Sequence, residues 1–155
     1  MKQWQLGYLA GMIDAECHVG IQRIMEKRRK TPAYTVRFEL AMTDVKPVDF
    51  VNSLLPGAKR LYMQAKGRRL PYHRLRLTQQ EALTLLRTAL PYVQGKRRQI
   101  ELCLEIDALR RSYSPDRKHT GQAHFQRLPA EFAERADVLF KEFRSLQLNK
   151  KPHKK

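Results

Sequence analysis

Two carboxylates at the end of an apolar segment are the first residues in the sequence that could do chemistry. Asp14 and Glu16 lie two residues apart, directly after a run of apolar and small residues at positions 8–13. Ionised carboxylates are hard oxygen ligands of the kind that Mg²⁺ prefers, and aspartate also bonds to nearby backbone groups. The pair is therefore a candidate for metal binding or for structural capping.

Other chemical sites are excluded by spacing. His18, His73, His119, His124 and His153 are scattered, and no cysteine or histidine pair has zinc spacing. Gly95-Lys96 lacks the glycine-rich lead of a phosphate-binding loop. Cys17 and Cys103 lie far apart, which indicates reduced thiols in an intracellular protein.

No segment is long and apolar enough for a bilayer, and the first residues do not resemble a secretory leader, so we expect neither a membrane partner nor secretion.

The charge of the chain predicts a polyanionic partner. Among 155 residues there are 31 Lys and Arg against 15 Asp and Glu, a formal net charge of +16. A surface that only needs solubility usually carries half that charge or less. Nucleic acid is therefore the first candidate. The length predicts one domain, residues 1–148, followed by a basic tail at 149–155.

The segment before the carboxylates predicts a helix over residues 6–13. Apolar or small residues occur all round its turns, so we expect it to be buried on every side. Gly7 and Gly11 lie four residues apart with Ala10 beside them. Because mid-helix glycine costs about 1 kcal/mol relative to alanine, two of them imply close approach to another backbone. That backbone belongs either to the same core or to a second copy of the helix.

The remaining pattern alternates hairpins with helices. Period-two alternation after Glu16 and at 33–42, 60–65 and 72–77 predicts four strands. Helices are predicted at 44–55, 79–90, 96–111 and 130–148, the second with a Thr78–Glu81 capping box. The phenylalanines from Phe132 to Phe143 have helical spacing and belong to the core. An α+β domain follows, with helices on one face of an antiparallel sheet.

The other face of this sheet is the predicted nucleic-acid surface. Arginine and glutamine pair bidentately with base edges in the major groove, where a β-ribbon fits. We expect the strands and their basic turns to supply the contacts: Gln22, Ile24, Glu26, Arg28, Arg29, Lys30, Thr35, Arg37, Glu39, Arg60, Tyr62, Gln64, Lys66, Arg68, Arg69, Tyr72, Arg74 and Arg76.

Two segments resemble a known family. Residues 9–17, LAGMIDAEC, resemble the LAGLIDADG motif of homing endonucleases, and the chain has the size of the single-motif, homodimeric members. Residues 91–99, PYVQGKRRQ, resemble the family segment in which a basic residue near the scissile phosphate precedes a long helix. The order αββαββα is that of the family's fold, and the resemblance covers residues 5–148.

The resemblance implies a homodimer that cleaves DNA. The motif helix would pack against its copy through Gly7, Tyr8, Ala10, Gly11 and Asp14. Glu16 and the backbone carbonyl of Ala15 would hold Mg²⁺, for which Mn²⁺ or Ca²⁺ can substitute in binding. Lys96 and Lys46 match basic positions around the cleaved phosphates.

Three residues depart from the family pattern. Glu16 stands where aspartate is commoner, and its extra methylene moves the carboxylate by about a bond length. Cys17 replaces the glycine that closes the motif. Met42 occupies a catalytic position where some relatives carry a polar residue that orients active-site water. Capping or pairing is the favoured role of Asp14, which lies short of the metal site.

The resulting hypothesis is a sequence-specific homing endonuclease. It would bind a long, nearly palindromic DNA target and make a staggered double-strand break with 3′ overhangs, promoting intron mobility in a cytoplasm, nucleoid or organelle. One alternative is an RNA-splicing maturase or DNA-binding module with a decayed metal site, for which intron RNA is a partner. A weaker alternative is a monomeric RNA-binding protein of the translation machinery.

Overall fold

The computed structural model describes residues 1–25, 31–67, 70–113 and 129–148. Its elements are α1 (Gln3–Ala15), β1 (Cys17–Ile24), β2 (Ala33–Met42), α2 (Val45–Leu54), β3 (Lys59–Met63), β4 (Tyr72–Arg76), α3 (Gln79–Ala89), a 3₁₀ turn (Leu90–Tyr92), α4 (Arg97–Ser112) and α5 (Ala130–Leu148). The strands form one antiparallel sheet in the order β1-β2-β4-β3. The predicted αββαββα order and α+β class are confirmed. None of the helices in these ranges is both long and apolar enough to span a membrane.

Local sequence signals fix several element ends. The Asp44 carboxylate accepts a hydrogen bond of 3.0 Å from the backbone N–H of Lys46 and caps α2. The predicted capping box begins α3: Thr78 Oγ1 accepts from the Glu81 amide, and the Glu81 carboxylate accepts from the Thr78 amide. Gly67, between β3 and β4, has φ of +61°, a left-handed conformation that disfavours other residues.

The core lies between one face of the sheet and the helices. In β2 the buried side chains alternate with more exposed ones, as the sequence predicts. Fully buried residues from the sheet meet fully buried residues of α1, α3, α4 and α5, among them Leu9, Ile13, Phe38, Leu40, Leu75, Leu86, Ile100, Phe132 and Phe143. The predicted core role of the phenylalanine stripe is confirmed for Phe132 and Phe143. Cys17 and Cys103 are buried free thiols.

The prediction that α1 is buried on every side is wrong for the single chain. Leu9, Ala10 and Ile13 are buried, whereas Gly7 and Gly11 are exposed. Apart from the adjoining residues and the nearby backbone of α1 itself, a Cβ added at either glycine would meet no atom within 4 Å. The interpretation of Ala10 as an interface residue is also wrong, because its side chain is 2% exposed and belongs to the core of its own chain. Total hydrophobicity could not separate the two sides, because both are apolar or small.

The predicted faces of β3 are reversed. The register pairs Arg60 with buried Leu75 and Tyr62 with His73, so Arg60 and Tyr62 lie on the face that the helices cover. An ion pair between Arg60 and Asp49 of α2 agrees with this placement. Apolar Leu61 and Met63 alternate with Arg60 and Tyr62, so the sequence pattern predicts the opposite orientation, and the structure places the apolar pair of this short edge strand on the open face.

Some predicted contact residues lie outside the described part of the chain. These are Glu26, Arg28, Arg29, Lys30, Arg68 and Arg69. The basic tail, 149–155, also lies outside it, and α5 ends at Leu148.

Candidate nucleic-acid interface and catalytic end

The register of the sheet aligns polar side chains in rows on the face opposite the core. His18 of β1 is paired with Glu39 of β2, Glu39 with Arg76 of β4, and Arg76 with Lys59 of β3. The row nearer the end of α1 contains Arg74, which is paired with Ala41 and Leu61. Rows of this kind can follow the groove of a nucleic acid, because neighbouring strands lie about 5 Å apart.

A salt-bridge cluster occupies the middle of this face. Arg76 donates from Nε at 2.9 Å and from Nη2 at 2.5 Å to the same oxygen, Oε1 of Glu39. The other carboxylate oxygen lies 3.8 Å from Arg74 Nε, which has no hydrogen-bond partner among the described residues. Arg74 Nη2 donates to the Tyr72 hydroxyl at 2.9 Å. The recessed Glu39 carboxylate therefore lies between two arginines. Its oxygens face Arg76 and Arg74, so these contacts do not support its predicted role as a direct DNA contact.

The other predicted contact residues differ in how open they are. Arg37 is exposed, while Gln22, Ile24 and Thr35 are half-buried, and all four occupy positions on the open face. Gln64 and Lys66 follow β3 and are exposed. Lys59 was missed, because the prediction started β3 one residue later and reversed its faces. The register with Arg76 places Lys59 on the open face.

The His18 ring occupies space that is open because Gly20 has no side chain. The His18 ring lies over Gly20, where an added Cβ would come within 2.8 Å of His18 Nε2. Real Cβ atoms do not approach that closely, so only glycine at position 20 allows this arrangement. His18 is exposed and stands two residues after Glu16.

The end of α1 presents the Glu16 carboxylate to solvent. Glu16 is exposed, and its side chain makes no hydrogen bond or ion pair with the described residues. The carbonyl of Ala15 belongs to the last turn of α1, whose final carbonyls have no partner within a helix. Both are hard oxygen donors. Across the ranges that the structure covers, no three His, Cys, Asp or Glu residues form a group that could hold a metal ion.

Asp14 connects this end of α1 to the segment before α4. Its carboxylate accepts from the backbone N–H of Gln94 at 2.9 Å and of Lys96 at 2.8 Å. Burial opposes ionisation of Asp14, but the amides of Gln94, Gly95 and Lys96 and the Lys96 ammonium outweigh it, so the pKa of Asp14 is lowered. The favoured structural role of Asp14 agrees with these contacts, which are made within its own chain.

Lys96 completes the same connection in the opposite direction. Its Nζ donates at 2.7 Å to the carbonyl of Ile13 and at 2.7 Å to that of Cys17. These two carbonyls lie on either side of Glu16 in the sequence. The backbone that carries Glu16 is therefore held by the ammonium group of Lys96, which belongs to the second family-like segment, residues 91–99.

Cys17 shows that the missing glycine of the motif is not needed here. No described residue other than Gly67 has positive φ, so position 17 has a backbone conformation that any residue adopts. The Cys17 side chain is buried at the start of β1. Burial, together with the nearby Glu16 charge, outweighs the opposing effect of Lys96 and raises the pKa of the thiol to about 12. Cys17 is therefore an unreactive core residue.

The two remaining predicted catalytic residues occupy different environments. Lys46 lies in the first turn of α2 and is exposed. Met42 ends β2, pairs with His73 and packs against the hydrophobic core. A thioether is only a weak acceptor, and the core contact turns Met42 away from the open face, so these contacts do not support its predicted catalytic role.

An exposed apolar stripe runs along α1. Gly7, Tyr8 and Gly11 lie on it, and Trp4 at its start is 59% exposed. Trp4 stacks on Phe50 of α2 with 5.8 Å between ring centroids, and Tyr8 meets the same ring edge-on at 4.9 Å. The stripe and these aromatic rings together form an open, mostly apolar surface beside Glu16.

No protein-family model matches the chain. No curated protein is similar to it in sequence. Several solved structures are similar in fold. The homing endonuclease I-CvuI, in complex with the I-CreI target, has a TM-score of 0.70 at 16% identity, over 99% of this chain and 87% of that one.

Two further structures extend this similarity. The archaeal intron-encoded homing endonuclease I-Vdi141I, complexed with DNA, has a TM-score of 0.73 at 12% identity, over 100% of this chain and 91% of that one. The meganuclease I-SmaMI, bound to uncleaveable DNA, has a TM-score of 0.64 at 15% identity, over 88% of this chain and 43% of that one. The chain therefore has the fold of the LAGLIDADG homing endonucleases.

Proposed function

We propose that this protein is a homodimeric, sequence-specific DNA endonuclease that makes a staggered, metal-dependent double-strand break with 3′ overhangs in a long, nearly palindromic target. The observation that carries the proposal is the position of Glu16. An exposed carboxylate ends the helix that also presents the glycine stripe, at the edge of a sheet whose open face is rich in arginine. The biological role that fits such an enzyme is intron mobility.

The surface of α1 supports the dimer. Gly7 and Gly11 leave a strip of bare backbone, and beyond the adjoining residues and nearby backbone of α1 itself, a Cβ added at either residue would have no atom of its own chain within 4 Å. The helical cost of two glycines is offset when a second backbone packs against them. Two copies joined along this strip would bring two Glu16 side chains together at the same end of the helix pair.

The donor set at this end fits a hard divalent cation. The Glu16 carboxylate and the Ala15 carbonyl are oxygen donors, and DNA phosphates would complete the coordination. When bound, Mg²⁺ supplies charge neutralisation at the phosphate and lowers the pKa of a bound water. The two structures of I-CvuI with DNA were obtained with Mg or with Ca.

The residues of this chain then have distinct tasks. Asp14 and Lys96 hold the backbone around Glu16 through the amides and carbonyls described above. Lys46, in the first turn of α2, is exposed and available to a phosphate. Arg37, Arg74 and Arg76 on the open face would contact the bases and phosphates of one half-site.

One variant separates cutting from binding. In Glu16→Gln the shape is kept and the charge is lost, so cleavage should disappear while binding remains. A randomised duplex library, incubated with the protein and Mg²⁺ or EDTA and sequenced at cut ends, measures cleavage whatever the target sequence is. Cleavage by Glu16→Gln at the wild-type rate would contradict the proposal.

The second candidate is a DNA-binding module or RNA-splicing maturase of the same fold. The packing of Met42 into the core favours it, because no polar group stands at that position to orient water. Selective binding of a DNA or intron RNA sequence by the wild type, without cleavage in Mg²⁺ or Mn²⁺, would support this function.

A further inference from the structure

Glu39 is the acidic residue at the centre of the open face, and its geometry differs from that of a surface ion pair. Its side chain is 18% exposed, whereas that of Arg76 is 42% exposed. The carboxylate thus lies below the guanidinium that it holds. Both hydrogen bonds from Arg76 end on one oxygen, Oε1, and the Arg74 guanidinium lies beside the other.

The hydrogen bonds use one particular edge of the Arg76 guanidinium. A guanidinium has five N–H donors in a rigid, planar fork. Glu39 takes the side formed by Nε and Nη2. Within the described residues, no acceptor bonds the end formed by Nη1 and the outer hydrogen of Nη2. Two parallel donors at that end match the O6 and N7 acceptors that guanine presents in the major groove.

Holding the fork also lowers the entropy lost on binding. A free arginine loses side-chain freedom when it binds a base, and this loss of entropy opposes binding. An arginine already fixed by a carboxylate loses less of it. Arg74 is fixed in a second way, through its hydrogen bond to the Tyr72 hydroxyl and its contact with the Tyr72 ring, 5.7 Å from the centroid.

We propose that Glu39 is a positioning residue for base recognition: it holds Arg76 so that the Nη1–Nη2 end selects a guanine in each half-site. This inference rests on the proposed function, since it assumes that the open face reads DNA. Glu39 itself touches no base. Its negative charge also opposes phosphate contacts at this point of the sheet, so it raises selectivity at the expense of non-specific affinity.

The test is a comparison of base preferences after binding selection. Wild type and Glu39→Gln are each incubated with a randomised duplex library, and the bound DNA is sequenced. We expect the guanine preference at one position of the half-site to fall about fivefold or more, the range of one bidentate pair. Affinity for DNA of unrelated sequence should be unchanged or higher.

Arg37→Ala is the matched control. Arg37 is exposed on the same face, in a different row, opposite Gly20. Its loss should weaken binding but leave the guanine preference intact. Arg76→Lys is the second variant, because lysine keeps the charge next to Glu39 but has no fork. It should lose the same preference as Glu39→Gln, and it keeps the test valid if Glu39→Gln does not fold.

The outcomes separate the two proposals. If the wild type selects a sequence and both Glu39→Gln and Arg76→Lys retain its guanine preference, the role of Glu39 is overturned while the DNA-binding function stands. If the wild type selects no DNA sequence at all, the proposed function fails and this inference fails with it. A merely structural salt bridge would lower the unfolding free energy of Glu39→Gln without changing base preference.

Discussion

Individual residues at the end of α1 divide into one that faces solvent and two that fix the backbone. Glu16 is exposed, whereas Asp14 and Lys96 exchange hydrogen bonds between α1 and the segment before α4. The sequence predicted a structural role for Asp14 from the capping preference of aspartate. It could not predict the partners, because Gln94 lies 80 residues further along the chain. Only the backbone dihedral angles show that position 17, where the motif has glycine, accepts cysteine without strain.

Asp14→Asn tests the structural role at this scale. We expect a loss of about 1–2 kcal/mol in the free energy of unfolding. Each carboxylate oxygen of Asp14 accepts one backbone hydrogen bond, whereas asparagine has a single, uncharged oxygen and can replace only one of them. The value is at the low end for a charged acceptor, since Asp14 is only half-buried. Urea unfolding at neutral pH measures it. Glu16→Gln is the control and should unfold like the wild type; equal stability of Asp14→Asn and the wild type would contradict the assignment.

Secondary-structure elements were predicted well where one face is clearly apolar. β2 and α5 begin and end at the predicted residues, because alternation in β2 and the phenylalanine stripe in α5 both distinguish a buried from an exposed side. The prediction for β3 was wrong although its residues also alternate: Leu61 and Met63 lie on the open face, while Arg60 and Tyr62 lie on the covered one. An edge strand with few contacts tolerates this arrangement, and the sequence contains no signal for it.

Gly11→Leu tests the role of α1 as an element. The added side chain has open space in the single chain, since a Cβ at Gly11 has no atom within 4 Å beyond the adjoining residues and the nearby backbone of α1 itself. The variant should therefore fold, with a gain of up to about 1 kcal/mol in helix propensity, but should not form the proposed dimer.

Sedimentation velocity gives the oligomeric state and circular dichroism the fold. Thr84→Leu, at an exposed position of α3, controls for added surface hydrophobicity and should leave the dimer unchanged. A folded Gly11→Leu protein that still sediments as a dimer would refute the proposed helix interface.

For the molecule as a whole, the strand order is the feature that sequence could least predict. β2 lies between β1 and β4. The strand that pairs with the first hairpin is therefore β4, although β3 is the strand that follows β2 in the sequence. Hairpin signals report only pairing between strands that are adjacent in sequence. The excess of positive charge, by contrast, was evident from composition. The structure shows where part of this charge is neutralised: Arg98 forms ion pairs with Glu105 and Glu142, on helices that cover the other side of the sheet.

Deletion of residues 149–155 tests how the whole charge contributes to DNA binding. The segment contains Lys150, Lys151, Lys154 and Lys155. Each lysine that contacts a phosphate adds about 0.9 to the slope of log K against log salt, so the deletion should make the slope shallower. Base preferences should remain as in the full chain. A changed preferred sequence would show that the tail reads bases.

The exchange of bonds between Asp14 and Lys96 has a consequence for protein engineering. The motif helix and the segment at 94–96 are far apart in sequence, yet each supplies both a charged side chain and the backbone partners of the other. A chimera that takes only one of these segments from a relative with different geometry would lose hydrogen bonds in both directions. Grafts into this scaffold should therefore transplant the two segments together, as one discontinuous module.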